Sequence, residues 1–502
     1  MKILTAKQSR EADAYTIAHE PISSLELMER AAAKCFEWLI KQYSLEKEFA
    51  VFCGVGNNGG DGLVVARLLK QAGYKVAVWV VEFSKKHSPD FQVNLKRLKK
   101  EKVDLHTLTT SNYKFQIPTD AVVVDAIFGS GLTRTVEGFV ADIIHRTSDH
   151  EVVAIDLPSG LFAEDNSTNI KNNIIQAKYT LTFQQPKLAM LFPENNNYVG
   201  EWVVLPIGLN QEFIDQQSTP YRLITKEDIE KLLQTRSKFS HKGNYGHALI
   251  IAGSKGKIGA AVLASRACLR TGVGLLTTHV PTIGYAVLQT VVPEAMCSTS
   301  DHTDYIADLP DLSPFTVVGV GPGIGIDKQT ANTLKLLIQN AKTPLVMDAD
   351  ALNILSENKT WLAFLPSQSI LTPHPKEFER LVGKWSGDEE RLEKQIAFSI
   401  KNKVIVVLKG AHTSVSTPAG EVYFNSTGNA GMATGGSGDV LTGVITSFLA
   451  QGYTPLESAV AGVYIHGLAG DVAKENYTEQ GMIASDITEA LPRAFGWINQ
   501  QV

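Results

Sequence analysis

The sequence predicts an α/β protein of two tandem domains, each a mainly parallel β-sheet between two layers of helices. At 502 residues, the chain is too long for one ordinary hydrophobic core. Short apolar runs alternate with segments long enough for a helix, which is typical of a sheet covered on both faces. The alternation stops once, in the polar segment 209–220, and then resumes. We therefore predict domains at residues 1–211 and 221–502.

In the first domain, helical spacing precedes the strands. Thr5 and Gln8 form a capping-box pattern that opens a first helix, and residues 24–42 carry apolar side chains at helical spacing. The pattern then changes to short buried runs. Strands are predicted at residues 49–53, 76–81, 121–128, 152–155, 179–183 and 202–205.

The second domain repeats this alternation without any internal sequence repeat. Strands are predicted at residues 247–252, 274–280, 316–320, 344–347, 369–371 and 404–408. Long helices are predicted at residues 259–271, 328–341, 439–451 and 456–473.

Composition restricts the possible partners and location. The net charge of −5 argues against a broad nucleic-acid or anionic-membrane surface. The four cysteines lie far apart, which suits a reducing compartment without structural zinc or disulfides. No apolar run approaches the roughly 20 residues of a membrane span, and the first residues lack the apolar core of a secretion signal. We therefore expect a cytoplasmic protein with no nucleic-acid or membrane partner.

A glycine-rich loop follows the first predicted strand. Gly54, Gly56 and Gly59 match the dinucleotide-binding fingerprint, and Glu82 lies near the position of a ribose-binding acid. A hydride-transferring dehydrogenase and a plain tight turn both explain that pattern. The next residues, NNGGDG at 57–62, place amides, a carboxylate and backbone N–H groups at one helix N-terminus. Such a place suits phosphate, and its side-chain oxygens suit a hard cation.

Three further polar loops follow later strands of this domain. They are DAIFGSG at 125–131, DLPSG at 156–160 and QQPK at 184–187. Open α/β sheets bind ligands at the carboxyl ends of their strands, so we expect these loops to meet in one site. Each loop taken singly is also explained as a cap or a turn.

The motifs VGNNGGDG, DAIFGSGL, AIDLPSGL and LMERA resemble the YjeF N-terminal family, the NAD(P)H-hydrate epimerases, over residues 1–209. The resemblance implies a Rossmann-like domain in which Asp156 acts on the substrate and Lys187 is a possible second acid or base. It implies a potassium ion on Asn58, Asp125 and Ser159. It also implies contacts to the hydrated nicotinamide nucleotide from Asn57, Asn58, Gly59, Gly60, Asp61, Gly129, Ser130, Gly131, Leu132, Thr133, Arg134, Thr135 and Asp156.

In the second domain, the most informative segment is NSTGNAGMATGGSGD at 425–439. The glycines at 435–438 expose backbone N–H groups at a helix start, which forms an anion hole. Asp439 would stand beside the phosphate that these groups attract, and a carboxylate is unfavourable there for static binding. We therefore interpret Asp439 as a base that removes a proton from a hydroxyl attacking that phosphate.

The set HKGNYGHALIIAGSKGKIGAA, GVGPGIG, TPHPKEFERL, LKGAHT and NAGMATGGSGDVLTG resembles the ribokinase-like ADP/ATP-dependent NAD(P)H-hydrate dehydratases over residues 221–495. The resemblance implies substrate contacts at Ala260, Gly321, His374 and Asp439. It implies adenine-nucleotide contacts at Lys409, Gly410, Ala411, His412, Thr413 and Gly438. Glu377 stands where related kinases carry a magnesium motif, so we expect it to hold Mg²⁺ through water.

Together, the two resemblances predict a nicotinamide-nucleotide repair enzyme. The first domain would interconvert the R and S hydrates of NADH and NADPH, and the second would dehydrate the S form through a phosphorylated intermediate. ADP and ATP remain open as donors, although the fused arrangement favours ADP, and the family suggests a homo-oligomer. The alternatives are a kinase of a vitamin-like alcohol with a nucleotide-binding regulatory N-terminal domain, a sensing or scaffold module, and the dehydrogenase.

Overall fold

The computed structural model describes residues 1–499 and divides them into two compact units. The first unit comprises Lys2–Thr219 and Gly387–Glu389, and the second comprises Met1, Pro220–Ser386 and residues 390–499. Each unit is a three-layer α/β/α domain, which confirms the predicted fold class. Within the described residues, no helix is long and apolar enough to cross a membrane.

The first unit contains one seven-stranded sheet in the order β3-β2-β1-β4-β5-β6-β7, and every neighbouring pair is parallel. The strands are β1 Glu48–Cys53, β2 Lys75–Val81, β3 Asp104–Leu108, β4 Val122–Ala126, β5 Glu151–Ile155, β6 Tyr179–Phe183 and β7 Glu201–Leu205. The helices are α1 Ala6–His19, α2 Ser24–Gln42, α3 Asn57–Gln71, α4 Pro89–Lys100, α5 Phe139–Thr147, α6 Asn196–Val199 and α7 Gln211–Gln216.

The strands of the first unit alternate their side chains between two hydrophobic layers. Phe49 and Val51 of β1 pack with helices α2, α3 and α4, while Ala50 and Phe52 pack with α5 on the opposite face. Because both faces are covered, the strands read as continuous apolar runs, which is why the sequence located six of them. The remaining strand, β3, was not predicted, because it is an edge strand with mostly polar, exposed residues.

The helices α1 and α2 begin as their capping residues predict. The side chain of Thr5 accepts a hydrogen bond from the Gln8 backbone N–H, and the Gln8 side-chain oxygen accepts one from the Thr5 backbone N–H. Ser23 and Glu26 form the same reciprocal pair at α2, which spans the predicted residues 24–42. Each box satisfies backbone donors that the first helical turn leaves unpaired.

The second unit contains a ten-stranded sheet in the order β11-β10-β9-β12-β13-β14-β15-β16-β17-β8. The strands are β8 Tyr221–Leu223, β9 His247–Ile251, β10 Leu275–Pro281, β11 Met296–Ser300, β12 Val317–Val320, β13 Leu345–Met347, β14 Ile370–Leu371, β15 Ile405–Leu408, β16 Ser414–Ser416 and β17 Val422–Phe424. From β11 to β15 all pairs are parallel, and β16 is antiparallel to both of its neighbours.

Helices cover both faces of this sheet. They are α8 Lys226–Leu232, α9 Ile258–Arg270, α10 Tyr285–Val291, α11 Lys328–Asn340, α12 Ala349–Glu357, α13 Pro375–Val382, α14 Asp388–Asn402, α15 Ser437–Ala450, α16 Pro455–Gly481 and α17 Ala484–Ile498. Core residues of α15, α16 and α17 pack on one face, and those of α11, α12 and α13 pack on the other. The sequence missed β8, β11, β16 and β17, which are short or edge strands without a long apolar run.

The segment 209–220 contains a helix that the sequence did not predict. Ile214 of α7 is buried in a cluster with Leu4, Ala12 and Leu27, and Phe213 stacks on Tyr15 with ring centroids 4.6 Å apart. Residues 211–219 therefore belong to the packing of the first unit, which continues to Thr219. The predicted domains 1–211 and 221–502 stay predictions of independently folding pieces.

This packing predicts that a fragment of residues 1–219 is more stable than one of residues 1–211. The shorter fragment loses Ile214, and burial of one such side chain is worth about 1.5–3 kcal/mol. Urea unfolding of both fragments measures the difference. The variant Ile214→Ala in the longer fragment should reproduce most of the loss, and equal midpoints for the two fragments would show that α7 adds nothing to this unit.

Candidate active sites

The first glycine loop is shaped by close backbone packing between β1, α3 and β4. A Cβ on Gly54 would lie 2.0 Å from the carbonyl oxygen of Ile127, and a Cβ on Gly59 would lie 1.8 Å from that of Gly54. Both positions therefore require glycine. Helix α3 begins at Asn57 without a side-chain cap from Gly56, which leaves its first N–H groups available to a ligand.

Asp125 at the end of β4 is a buried carboxylate held by neutral donors. Ser159 donates to it from its hydroxyl at 2.6 Å and from its backbone N–H at 2.7 Å, and the Ile127 N–H adds a third bond at 3.2 Å. Burial raises the pKa of Asp125 to about 6, although these hydrogen bonds oppose the rise. A carboxylate in this state is well suited to ligate a cation, because a cation would offset the cost of its burial.

Asn58 contributes a second feature that fits a cation. Its Nδ2 is buried and has no hydrogen-bond partner within residues 1–499. A 180° rotation of the amide exchanges nitrogen for oxygen, so the same position can present an oxygen ligand. Asn58 also approaches the predicted nucleotide loop, since a Cβ on Gly129 would lie 3.2 Å from Asn58 Cγ.

Asp156 and Lys187 form a buried ion pair at the carboxyl ends of β5 and β6. Lys187 Nζ lies 3.2 Å from Asp156 Oδ1, and its side chain is only 3% exposed. Lys187 also donates to Thr182 Oγ1 at 3.2 Å and to the Gln185 carbonyl at 3.1 Å. The backbone N–H of Ser130 donates to Asp156 Oδ2 at 2.7 Å. Burial tends to raise the pKa of Asp156, but Lys187 and Ser130 outweigh it and hold the pKa below its usual value.

Two more carboxylates act on this pair. Burial raises the pKa of Asp13, in α1, to about 6, with Asp156 adding to the rise and Lys187 opposing it. Burial also raises the pKa of Asp61 well above its usual range, and both Asp156 and Asp13 reinforce that rise. Lys187 therefore lies among three carboxyl groups, two of which have raised pKa values. Such a cluster can exchange protons near neutral pH, which suits acid–base chemistry.

The structure brings together several of the predicted residues of the first site. Gly129 and Ser130 adjoin Asp156, and a Cβ on Gly129 would lie 2.8 Å from Asp156 Oδ2. Gly131, Thr133 and Arg134 are exposed positions of the same loop. The nucleotide contacts expected of that loop stay predictions.

In the second unit, α15 begins at a glycine loop. Gly436 has a φ of 91° and provides no side-chain cap, so N–H groups in the first turn of α15 are placed to bind an anion. Asp439 lies in the first turn of this helix. Burial raises its pKa to about 7, and Asp348 contributes to the rise. A carboxyl group with that pKa changes its protonation state at the pH where a general base is most effective.

Lys409, at the end of β15, points toward the first turn of α15. Its ammonium lies 2.7 Å from Asp348 Oδ1, and a Cβ on Gly438 would lie 3.3 Å from Lys409 Nζ. Beyond it, Gly410 and Thr413 close a tight turn in which the Thr413 hydroxyl donates to the Gly410 carbonyl at 3.0 Å. The ring of His412 contacts the Asn425 carbonyl at 3.1 Å, and burial lowers the pKa of His412.

The glycine loops after β9 and β12, which are expected to bind substrate, lie against each other. Gly321, after β12, has a φ of 132°, and a Cβ there would lie 1.9 Å from the carbonyl oxygen of Asp348. A Cβ on Gly323 would lie 3.1 Å from the Cβ of Ala260, which belongs to α9. These glycines let the loops after β9, β12 and β13 approach one another.

His374 and Glu377 form a capping box at the start of α13. The Glu377 carboxylate accepts from the His374 backbone N–H at 2.8 Å and lies 3.4 Å from His374 Nε2, while His374 Nδ1 accepts from the Glu377 N–H. Glu377 therefore has a structural role that needs no metal. Within residues 1–499 no group of three or more acidic, histidine or cysteine side chains is arranged to hold a metal ion. The Mg²⁺ role of Glu377 stays a prediction.

Several site residues escaped sequence reasoning. Asp348 and Asp350 follow a predicted strand directly, which is the signal that identified the other loops, so the sequence offered the means to find them. Asp13 and His466 lie on helices and carry no such signal. His466, in α16, lies 3.4 Å from the Ser437 hydroxyl, and burial lowers its pKa to about 4.

Cavity volume alone does not locate these sites. A cavity of about 680 Å³ lies over β1, β2 and β3, where Trp79, His106 and Phe115 line it. None of the predicted site residues borders this cavity. The convergence of carboxylates, lysines and glycine loops is therefore the better indicator of chemistry.

The fold and these sites define a two-domain α/β enzyme of nucleotide chemistry. The family described as YjeF-related protein N-terminus matches residues 24–189, and the family described as NAD(P)H-hydrate dehydratase matches residues 248–493. The chain belongs to the bifunctional NAD(P)H-hydrate repair enzymes. This membership supports the repair function and not the kinase alternative.

The relatives match both units. The bifunctional NAD(P)H-hydrate repair enzyme Nnr of Moorella thermoacetica is 34% identical, with 100% of this chain and 98% of that protein covered. The enzyme of the same name from Coxiella burnetii is also 34% identical, with 96% of each covered. A solved structure of the ADP/ATP-dependent NAD(P)H-hydrate dehydratase of Bacillus subtilis, co-crystallised with ATP and Mg²⁺, is 28% identical, covers 55% of this chain and 98% of its own, and has a TM-score of 0.47.

The buried pair predicts a pH-dependent loss of stability in Lys187→Met. Removing the ammonium leaves Asp156 as an uncompensated buried charge, which costs about 3–5 kcal/mol. Without Lys187, burial raises the folded pKa of Asp156 above its unfolded value. Such a group destabilises the fold increasingly as pH rises, so the loss should be largest near pH 8 and smaller near pH 5.

Hydrogen exchange of core peptides within residues 2–219 measures this loss at both pH values. The matched control is Lys75→Met, which removes the exposed partner of Glu48 and should change protection little. Equal loss of protection at pH 5 and pH 8 would show that packing of the lysine stem, and not its charge, is what matters.

Proposed function

We propose that the first unit interconverts the two C6 epimers of hydrated NADH and NADPH and that the second dehydrates the S epimer with ADP or ATP. The observation that carries the proposal is Asp439, a half-buried carboxyl group with a pKa of about 7 in the first turn of a helix that opens on a glycine loop. This arrangement combines an anion site with a base beside it.

Dehydration needs activation because hydroxide is a poor leaving group. Asp439 removes the proton of the C6 hydroxyl while that oxygen attacks the terminal phosphoryl group of the nucleotide. The N–H groups of the glycine loop stabilise the transferring phosphoryl group. The ring nitrogen then expels phosphate from C6, and loss of a proton from the ring restores the dihydropyridine. Family resemblance assigns the substrate to Ala260, Gly321 and His374, and the nucleotide to Lys409–Thr413 and Gly438.

Epimerisation needs only reversible loss of the C6 hydroxyl. The ring nitrogen supports departure of that hydroxyl as water, and water returns from either face. Asp156 exchanges the proton, and Lys187 is placed to share it across the 3.2 Å contact. Asp13 and Asp61 complete the set of titrating groups around the pair. Two proton carriers in contact allow one to assist departure while the other accepts the proton of the incoming water.

Two cations complete the proposal. Asn58, Asp125 and Ser159 would hold K⁺, which would neutralise the buried carboxylate and help bind an anionic nucleotide; the unpartnered Asn58 amide supports this assignment. Mg²⁺ would neutralise the nucleotide phosphates, with Glu377 holding it through water. Mg²⁺ commonly binds through phosphates and one or two carboxylates, so a single glutamate is a sufficient protein contribution.

The two activities complement each other, because a stereospecific dehydratase leaves one epimer unrepaired. Together they return the whole hydrated pool to NADH and NADPH. We place this repair in the cytoplasm, where these nucleotides are used and where the free cysteines Cys35, Cys53, Cys268 and Cys297 remain reduced. A homo-oligomer remains our expectation, which sedimentation of the intact chain tests.

The base assignment predicts that Asp439→Asn loses dehydration and little else. Asparagine preserves size but accepts no proton, so the dehydration rate should fall by about 10²–10⁴-fold, or roughly 3–5 kcal/mol of barrier. ADP affinity should hold or rise, because a negative charge beside the phosphates is removed. Return of absorbance near 340 nm, ADP binding and epimer interconversion are the three measurements.

Each alternative has a distinct result. Dehydration within a few-fold of the unaltered enzyme would exclude the phosphorylation mechanism. Simultaneous loss of ADP binding would assign Asp439 a structural or metal-holding role. A stable phosphorylated product in the unaltered enzyme, without release of phosphate, would favour a kinase.

The cation assignment predicts that Ser159→Ala weakens the dependence of epimerisation on K⁺. The change removes one oxygen ligand and keeps the Ser159 backbone N–H that holds Asp125. We expect the K⁺ concentration for half-maximal epimerisation to rise severalfold, while dehydration of purified S hydrate is unchanged. Asp125→Asn should have the larger effect because it removes a charge. Unaltered K⁺ dependence in both variants would reject this site.

A further inference from the structure

The segment after β13 carries two acidic residues on either side of a turn. Asp348 precedes α12, Ala349 has a φ of 48°, and Asp350 lies in the first helical turn. A positive φ is unfavourable for alanine, so the surrounding contacts must hold it. The two carboxylates contact different sets of loops, and neither has a role in the mechanism described above.

Asp348 connects the loop after β15, which begins at Lys409, to α15. It is 1% exposed, and both of its oxygens are engaged. Oδ1 lies 2.7 Å from Lys409 Nζ, and Oδ2 accepts from the Thr442 hydroxyl at 2.8 Å. Thr442 also donates to the Gly438 carbonyl at 3.2 Å, so the contact reaches the turn that contains Asp439. A Cβ on Gly438 would lie 3.5 Å from Asp348 Oδ2.

Asp350 connects the two loops expected to bind substrate. Its Oδ2 accepts from the Gly325 backbone N–H at 2.8 Å and from Lys257 Nζ at 3.2 Å. Gly325 belongs to the loop after β12, and Lys257 belongs to the loop after β9. The end of β13 therefore contacts the loops after β9 and β12 through Asp350, and the loop after β15 through Asp348.

The charges around Asp439 come from the same elements. Apart from burial, the groups that act on its pKa are Asp348 and Asp350, which raise it, and Lys409, which lowers it. On α16, the titratable side chain nearest this turn is His466, whose ring lies 3.4 Å from the hydroxyl of Ser437. Burial lowers the pKa of His466 to about 4, so it is neutral near pH 7. Asp348 thus has two effects: it neutralises Lys409, and its own charge opposes ionisation of Asp439.

We propose that Asp348 is a positioning residue for dehydration, which holds Lys409 against the first turns of α15 and sets the charge around the base Asp439. Asp350 likewise holds the loops after β9 and β12 through its contacts with Lys257 and Gly325. The inference rests on the proposed function of Asp439 as the base. A role in stability alone is a poor explanation, because an apolar pair of similar volume is often as stable as a buried ion pair.

The test is the pH dependence of kcat/KM for dehydration of the S hydrate with ADP in Asp348→Asn. Removing a negative neighbour favours ionised Asp439, so the acidic limb of the profile should move to lower pH by about one unit. The KM for ADP should rise, because Lys409 is no longer held. A purely structural role would lower the rate at every pH and leave the limb in place, and that result would overturn the proposal.

Two further variants complete the design. Asp350→Asn should move the acidic limb in the same direction by a smaller amount, because Asp350 acts more weakly than Asp348 on Asp439. Asp311→Asn removes an exposed acid that pairs with Ser313 and should not move the limb. If Asp348→Asn fails to fold, Asp350→Asn decides the matter, and an unmoved limb there would overturn the proposal.

Different results would reject the proposed function and this inference. If the unaltered enzyme shows no acidic limb, or if Asp439→Asn retains it, Asp439 is not the base. If the unaltered limb is present and depends on Asp439 but does not respond to Asp348→Asn, only the positioning role is rejected. Hydrogen exchange of core peptides within residues 221–499 reports whether the second unit of each variant is folded.

Discussion

Carboxylates that are buried at the carboxyl ends of parallel strands set the main energetic constraint in both units. Asp125, Asp156 and Asp348 are each less than a tenth exposed. Each buried ion costs several kcal/mol unless a partner compensates it. Lys187 compensates Asp156 and Lys409 compensates Asp348, and both lysines follow other strands of the same sheet. These charges can be buried because acidic and basic side chains lie together at the carboxyl ends of the strands.

The same constraint produces opposite acid–base behaviour in the two sites. In the first unit, Lys187 contacts Asp156 and holds its pKa down, while burial raises the pKa values of Asp13 and Asp61. In the second unit, Lys409 pairs with Asp348, and burial raises the pKa of Asp439 to about 7, with Asp348 adding to the rise and Lys409 opposing it. Reversible hydration needs protons that move both ways, whereas phosphoryl transfer needs one base.

Backbone strain marks the same strand ends. Asp156, Gln184 and Ala349 all have positive φ, and each lies within two residues of the end of β5, β6 or β13. Residues other than glycine pay about 1–3 kcal/mol for such conformations, which persist where surrounding contacts determine them. The sharp turns let a strand end present its side chain without a long loop. Sites held in this way are well ordered before a ligand arrives.

Sequence alone determined the two α/β domains, most buried strands and the motifs of both sites, because covered parallel strands are continuously apolar and glycine loops have a distinct composition. It missed the edge strand β3 and the helix α7, whose polar residues carry no such pattern. It also could not pair Lys187 with Asp156 or Asp348 with Lys409. Those pairs join residues that follow different strands, and only strand order decides which strand ends meet. The pKa values of Asp13, Asp61 and Asp439 likewise come from burial, which is a property of the packed structure.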